Sequence, residues 1–152
     1  MVQKTLVLIK PDGVARGLVG EIIKRFEQRG LKIIGLKLMH VDTEFAQKHY
    51  KEHVEKPFFG ELMHYIRQGP VLAMVLEGKD AISFVRKLVG PTRPNDAQPG
   101  TIRGDFAHTL GPLGKNLIHA SANESDAKKE CELWFSTNEV CSYTRSGQEH
   151  HY

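Results

Sequence analysis

The sequence predicts an α+β fold of the ferredoxin-like kind, β-α-β-β-α-β, with an antiparallel four-stranded sheet, extra helices and one long Pro/Gly-rich loop. Three observations predict it. Apolar runs of strand length recur at 5–9, 31–41, 71–76 and 116–120. Segments of helical spacing separate the first run from the second and the third from the fourth, and two more helical segments fall between the second and third. The 152 residues, 40% hydrophobic and 26% charged, suit one globular domain over 1–152, with 136–152 a C-terminal tail.

Each element has its own signal. Thr5–Ile9 is a continuous β-branched-rich run, read as a central strand that Pro11-Asp12-Gly13 stops. Leu18, Ile22, Ile23 and Phe26 recur at helical spacing and Gly30 follows as a stop. Residues 31–41 form the second strand. Asp42 or Thr43 caps a helix through about Tyr50, and Pro57 begins another that ends before Gly69-Pro70. Val71–Leu76 is the third strand, Asp80 caps a helix through about Leu88, and Asn116–Ala120 is the fourth strand. Ser121–Asp126 opens a last helix whose buried face carries Ala127, Cys131 and Trp134.

The fourth strand delivers a histidine, His119, with Ser121 two residues on and Glu130 eleven residues on. Imidazole is a nucleophile near neutral pH when neighbours fix its orientation, and a buried structural histidine with satisfied nitrogens is the competing reading. The stretch Gly90–Gly104 carries three prolines and three glycines in fifteen residues without periodicity, long for a connection inside a compact domain. Its Arg93, Arg103, Thr92 and Thr101 are side chains that ligate phosphate, although a solvated basic loop would look the same. No glycine-rich phosphate loop of the Gly-x-x-x-x-Gly-Lys or Gly-x-Gly-x-x-Gly type is present, so any phosphate must be held by side chains.

Several classes are disfavoured. A formal net charge of +3 gives no ground for a nucleic-acid or membrane partner. No apolar run approaches a membrane span and the N-terminus lacks a signal-peptide core, so the chain is expected in the cytoplasm. Two cysteines suit a reducing compartment, with Cys131 read as a core residue, and the eight histidines lack the spacing of a closed zinc site.

Lys10-Pro11-Asp12-Gly13, Arg16-Gly17-Leu18-Val19-Gly20, Pro57-Phe58-Phe59, Gly69-Pro70-Val71, Pro99-Gly100-Thr101-Ile102-Arg103-Gly104-Asp105-Phe106 and Asn116-Leu117-Ile118-His119 together resemble the nucleoside diphosphate kinase family, in the family's order and as far as about Trp134. The resemblance implies the same fold and a phosphotransferase that moves the γ-phosphoryl group of a nucleoside triphosphate, typically ATP, to a nucleoside diphosphate. It implies ping-pong transfer through a phosphohistidine at His119, with Ser121 and Glu130 hydrogen-bonded to or near its ring. Arg86, Thr92 and Arg103 are expected on the β and γ phosphates. Lys10 and Asn116 are expected on the sugar 3′-hydroxyl region and the transferring group, Tyr50 near the phosphates with Glu52 supporting that corner, and Phe58 stacked on the base. Mg2+ is expected on the nucleotide phosphates, with no protein metal site. The partners implied are nucleoside di- and triphosphates and further copies of the chain, a hexamer favoured and a tetramer possible, with no membrane and no specific nucleic acid.

Two positions depart from the family pattern. Ala122 stands where an aspartate is expected, with Asn123 able to cap the helix instead, and Ala122→Asp is expected to raise the melting temperature. The connection Leu110–Lys115 is a few residues longer than usual, so its base contact is unassigned. The rival class is a binding module: a ferredoxin-like sheet that uses Phe58, Tyr50 and basic residues on single-stranded nucleic acid, or a regulatory protein with a retired site. No aromatic-rich RNA-binding signature lies on the strands.

Overall fold

The computed structural model describes residues 1–108 and 115–150. Its strands are β1 (Val2–Ile9), β2 (Lys32–Met39), β3 (Val71–Lys79) and β4 (Ile118–Ala120). Its helices are α1 (Pro11–Ala15), α2 (Val19–Gln28), α3 (Thr43–His49), α4 (Phe59–Ile66), α5 (Ala81–Val89), α6 (Ile102–Phe106) and α7 (Glu124–Trp134). The sheet order is β2-β3-β1-β4 and every pairing is antiparallel, the ferredoxin-like arrangement.

Burial alternates along β1 between two cores, one on each face of the sheet. Val7 and Ile9 join Ile22 and Phe26 of α2 and Val85 and Val89 of α5 on one face. Leu6 and Leu8 join Ala46 of α3, Met63 and Ile66 of α4 and Trp134 of α7 on the other. The extra helices therefore cover the face that a bare βαββαβ unit would leave wet, which is why β1 and β3 read as continuous rather than alternating apolar runs. Register then aims the histidine. His119 pairs with Leu8, while Ile118 and Ala120 pair with Ile9 and Val7. Directly opposed residues share a face, so His119 lies on the α3/α7 side.

Several boundaries differ from the sequence reading, each for a local reason. Pro11 ends β1 but also opens α1, since a proline at the first helical turn gives up only an N–H that has no partner there. Asn116 and Leu117 precede β4 rather than forming it, because Leu117 is left-handed at φ +71. Its amide donates to Asp12 Oδ2 at 3.1 Å and its carbonyl accepts from the Lys10 amide at 2.8 Å. Asp80 sits at the start of α5 but its side chain does not cap; it is left-handed at φ +52, and its carbonyl accepts the Phe84 amide. The long loop contains a short turn at Pro94–Asp96 and α6, whose Thr101 cap accepts from the Gly104 amide. The longer connection predicted at Leu110–Lys115 falls largely outside the described residues. The tail is tied to the body through residue 145: the Cys141 amide donates to the Ile34 carbonyl, Lys32 to the Tyr143 carbonyl, and Arg145 to the carbonyls of Leu31 and Glu27.

The α7 cap is filled. Asn123 Oδ1 accepts from the Asp126 amide at 2.8 Å, so Asn123 supplies the cap in place of the aspartate expected at 122. Asn123→Ala is therefore expected to cost about 1 kcal/mol and Ala122→Asp to change stability by less than about 0.5 kcal/mol, both read from urea unfolding midpoints. An Ala122→Asp gain of a full cap's size would show that Asn123 does not fill the role.

Candidate active site

A line of hydrogen bonds fixes the His119 ring from the sheet outward. Ser121 is fully buried beside β1, where its Oγ accepts the Leu6 amide at 3.2 Å and its own amide donates to the Leu6 carbonyl. The Ser121 hydroxyl donates to Glu130 Oε1 at 2.6 Å, and Glu130 Oε2 lies 3.0 Å from His119 Nε2. Ser121 thus acts on the ring through Glu130. Burial pushes the Glu130 carboxyl up, but its hydrogen bond to His119, that residue's charge and the Ser121 bond outweigh this and leave its pKa below the ordinary value. A carboxylate only accepts, so the neutral His119 carries its proton on Nε2 and presents a bare lone pair on Nδ1. Nδ1 makes no hydrogen bond among the described residues, and the side chain keeps 26% of its exposure.

Cations with no salt-bridge partner among the described residues lie near this ring. Lys10, at the end of β1, is 8% exposed and donates to Asn116 Oδ1 at 2.8 Å, while Asn116 Nδ2 donates to the Thr92 carbonyl at 2.9 Å. Arg103, also 8% exposed, donates from three nitrogens to the carbonyls of Asn116, Gly90 and Ile118, at 3.2, 3.0 and 2.5 Å. It therefore braces the loop, and two of its five N–H groups stay uncommitted. Arg86 reaches the Ala120 carbonyl only at 3.5 Å. None of these three cations has a carboxylate within 4.0 Å among the described residues.

The cost appears in their proton affinities. Burial, then the charge of Arg103, brings Lys10 down to about 8, and burial with Arg86 brings Arg103 down to about 10. Buried cations without a carboxylate partner leave a place suited to an anion.

The rim is aromatic. Tyr50 closes α3, 7% exposed, with a hydroxyl that has no hydrogen-bond partner among the described residues; burial raises its phenol well above the ordinary value and keeps it a neutral donor. Phe58 precedes α4 at 44% exposure, its ring 5.9 Å from His53 and beneath the Lys56 ammonium. The Thr92 and Glu52 side chains are exposed and make no hydrogen bond among the described residues. A cavity of about 820 Å3 lies elsewhere, lined by Lys4, Val75, Cys131, Phe135 and Val140, and holds none of these groups.

His49 is the residue that sequence reading passed over. Its ring stands 5.0 Å from that of His119 at 83°, and its Nδ1 accepts from Trp134 Nε1 at 3.1 Å. The pairing partner lies 85 residues away, and only the i, i+4 spacing of Phe45 and His49 on α3 hints at a shared inward face.

A model of the nucleoside diphosphate kinase family matches residues 3–140. The nucleoside diphosphate kinase of Macrococcus caseolyticus is 55% identical over 141 residues, 93% of each chain. That of Pyrococcus furiosus is 51% identical over 145 residues, 95% of this chain and 90% of its own. Among solved structures, a halophilic nucleoside diphosphate kinase from Halobacterium salinarum in complex with CDP matches with a TM-score of 0.95 at 46% identity, over 100% of this chain and 99% of the other. A transition state mimic of the Borrelia burgdorferi enzyme with bound vanadate and ADP matches at 0.93 and 44%, over 99% and 97%. With the family model spanning most of its length, the chain belongs to the nucleoside diphosphate kinase family.

Proposed function

We propose that the chain moves the γ-phosphoryl group of a nucleoside triphosphate, typically ATP, to a nucleoside diphosphate in two half-reactions that share His119. The observation that carries this reading is a histidine whose Nε2 is tied to a carboxylate and whose Nδ1 is bare, near cations that have no carboxylate within 4.0 Å among the described residues. The Nδ1 lone pair attacks the γ phosphorus; the N–P bond forms as the bond to the β–γ bridging oxygen breaks, and the diphosphate leaves with that electron pair. A β-phosphate oxygen of the second nucleotide then takes the phosphoryl group and returns the lone pair to Nδ1. Throughout, Nε2 keeps its proton, and Glu130 steadies the positive charge that the ring gains.

The remaining roles follow from position. Arg86, Arg103 and Thr92 hold the β and γ phosphates, Lys10 and Asn116 the sugar 3′-hydroxyl region and the moving group, and the Tyr50 hydroxyl donates beside them. Phe58 offers an exposed face for any base, which suits a broad substrate range. Magnesium would enter with the nucleotide, held mainly through its phosphate oxygens, which suit a hard cation that keeps several of its waters. When bound it would screen the charge of the β and γ oxygens, while Arg86, Arg103 and Lys10 bind and orient the phosphates.

We read the chain as one domain that acts in the cytoplasm as a homo-oligomer, a hexamer favoured over a tetramer. Leu36 and Leu38, 49% and 60% exposed on the edge strand β2, are apolar surface that self-association would cover. No helix among the described residues is long and apolar enough to cross a membrane.

Intact mass after brief exposure to ATP and magnesium is expected to show one acid-labile phosphoryl adduct in the wild type and none in His119→Ala, discharged to GTP on adding GDP. Nucleotide binding with no adduct would favour a regulatory protein with a retired site. A second outcome concerns pH. Lys10 is charged below about 8 and loses its proton above that value, so kcat/KM is expected to fall as pH rises through about 8. In Lys10→Arg that limb should disappear from the kcat/KM profile, because a guanidinium stays protonated there.

A further inference from the structure

One hydrogen bond at Nε2 sets where the His119 ring points but leaves it free to tilt about the line from Nε2 to the chain. A productive attack needs the Nδ1 lone pair aligned with the phosphorus, so tilt matters. The ring that limits it belongs to His49, in the last turn of α3, which meets the His119 ring edge-to-face at 5.0 Å and 83°. His49 is in turn seated on Trp134, at 5.3 Å and 85°, with Trp134 meeting Phe45 at 4.7 Å and 81°. Edge-to-face rings thus run without a break from the core to the imidazole of His119.

Helix α7 ties the two restraints together. Glu130 and Trp134 are one turn apart on the same face, Glu130 taking His119 Nε2 and Trp134 donating to His49 Nδ1. An indole only donates, so the neutral His49 carries its proton on Nε2 and its tautomer is fixed. Burial, followed by the charges of His119, Lys10 and His53, holds His49 well below the ordinary histidine pKa, so it stays uncharged.

We propose that His49, keyed to Trp134, is a positioning residue that fixes the tilt of the His119 ring for phosphoryl transfer. The proposal rests on the reading of His119 as the nucleophile. A neutral aromatic wall suits this place for two reasons. It packs against the ring without taking its lone pair, and it adds no positive charge beside a ring that becomes cationic as the N–P bond forms.

The test is single-turnover phosphorylation of the full-length protein by ATP and magnesium, with nucleotide affinity measured in parallel. His49→Ala is expected to slow adduct formation at saturating nucleotide about tenfold while changing nucleotide Kd by less than about twofold. His49→Phe, which keeps the ring edge, should recover most of the rate. Trp134→Phe keeps an aromatic ring but removes the donor and part of a buried side chain, so its folding is checked by its urea midpoint; it should give an intermediate loss of about threefold. Adduct formation at the wild-type rate in both His49→Ala and Trp134→Phe overturns the proposal, as does a loss confined to nucleotide Kd. Failure of the wild type itself to label at His119 overturns the nucleophile reading and this proposal with it, and is a distinguishable result.

Discussion

The site depends on the hydrogen-bonded line that starts at the Leu6 amide and passes through Ser121 and Glu130 to His119 Nε2. Its first member is backbone in a central strand with two paired neighbours, so the anchor is as rigid as the sheet. Each later member has one role open to it. Ser121 accepts from the backbone and so turns its single proton to Glu130; Glu130 only accepts and so leaves the His119 proton on Nε2. Bonds to an ionised group contribute about 1.5–3 kcal/mol each, and members of such a chain reinforce one another. The consequence is chemical: a ring with two competent nitrogens is left with one.

A second constraint supplies the rest. Burial and the charge of Arg103 depress the proton affinity of Lys10, burial and the charge of Arg86 that of Arg103, and the fold gives neither a carboxylate partner within 4.0 Å among the described residues. Neutral acceptors hold them in place: the Asn116 amide for Lys10, three backbone carbonyls for Arg103. Carbonyls orient a cation without cancelling its charge. The left-handed Leu117 belongs to the same device, because its conformation lets Asn116 face Lys10 and Thr92 while Ile118, two residues on, enters the sheet. A left-handed residue of that size costs about 1–3 kcal/mol, and Asp12 Oδ2 and the Lys10 amide offset it by holding the peptide groups on either side of Leu117.

How much of this was legible in the sequence depended on how local the cause was. The first three apolar runs, Gly30 and the Asp42 and Asn123 caps act within a few residues, and those elements stand within a few residues of where they were read. Pro11 was read as a stop because a proline that ends a strand and one that opens a helix look alike. Leu117 was read as strand because its apolar side chain is buried, while the acceptor that turns its backbone left-handed lies 105 residues away. In the site, His119, Glu130 and Ser121 sit near one another along the chain. His49 does not: its links to Trp134 and His119 exist only after α3 has folded against α7, and the i, i+4 spacing of Phe45 and His49 names neither partner. That Ser121 works through Glu130 rather than on the ring was likewise a matter of geometry.

The most direct test of this account is the position of the phosphoryl group on the imidazole, read by nitrogen and phosphorus NMR of the phosphorylated protein with 15N-labelled histidine. Because Glu130 commits Nε2, the account predicts phosphorus coupled to Nδ1 of His119, with Nε2 still protonated. Phosphorus on Nε2, or on any other residue, would contradict it.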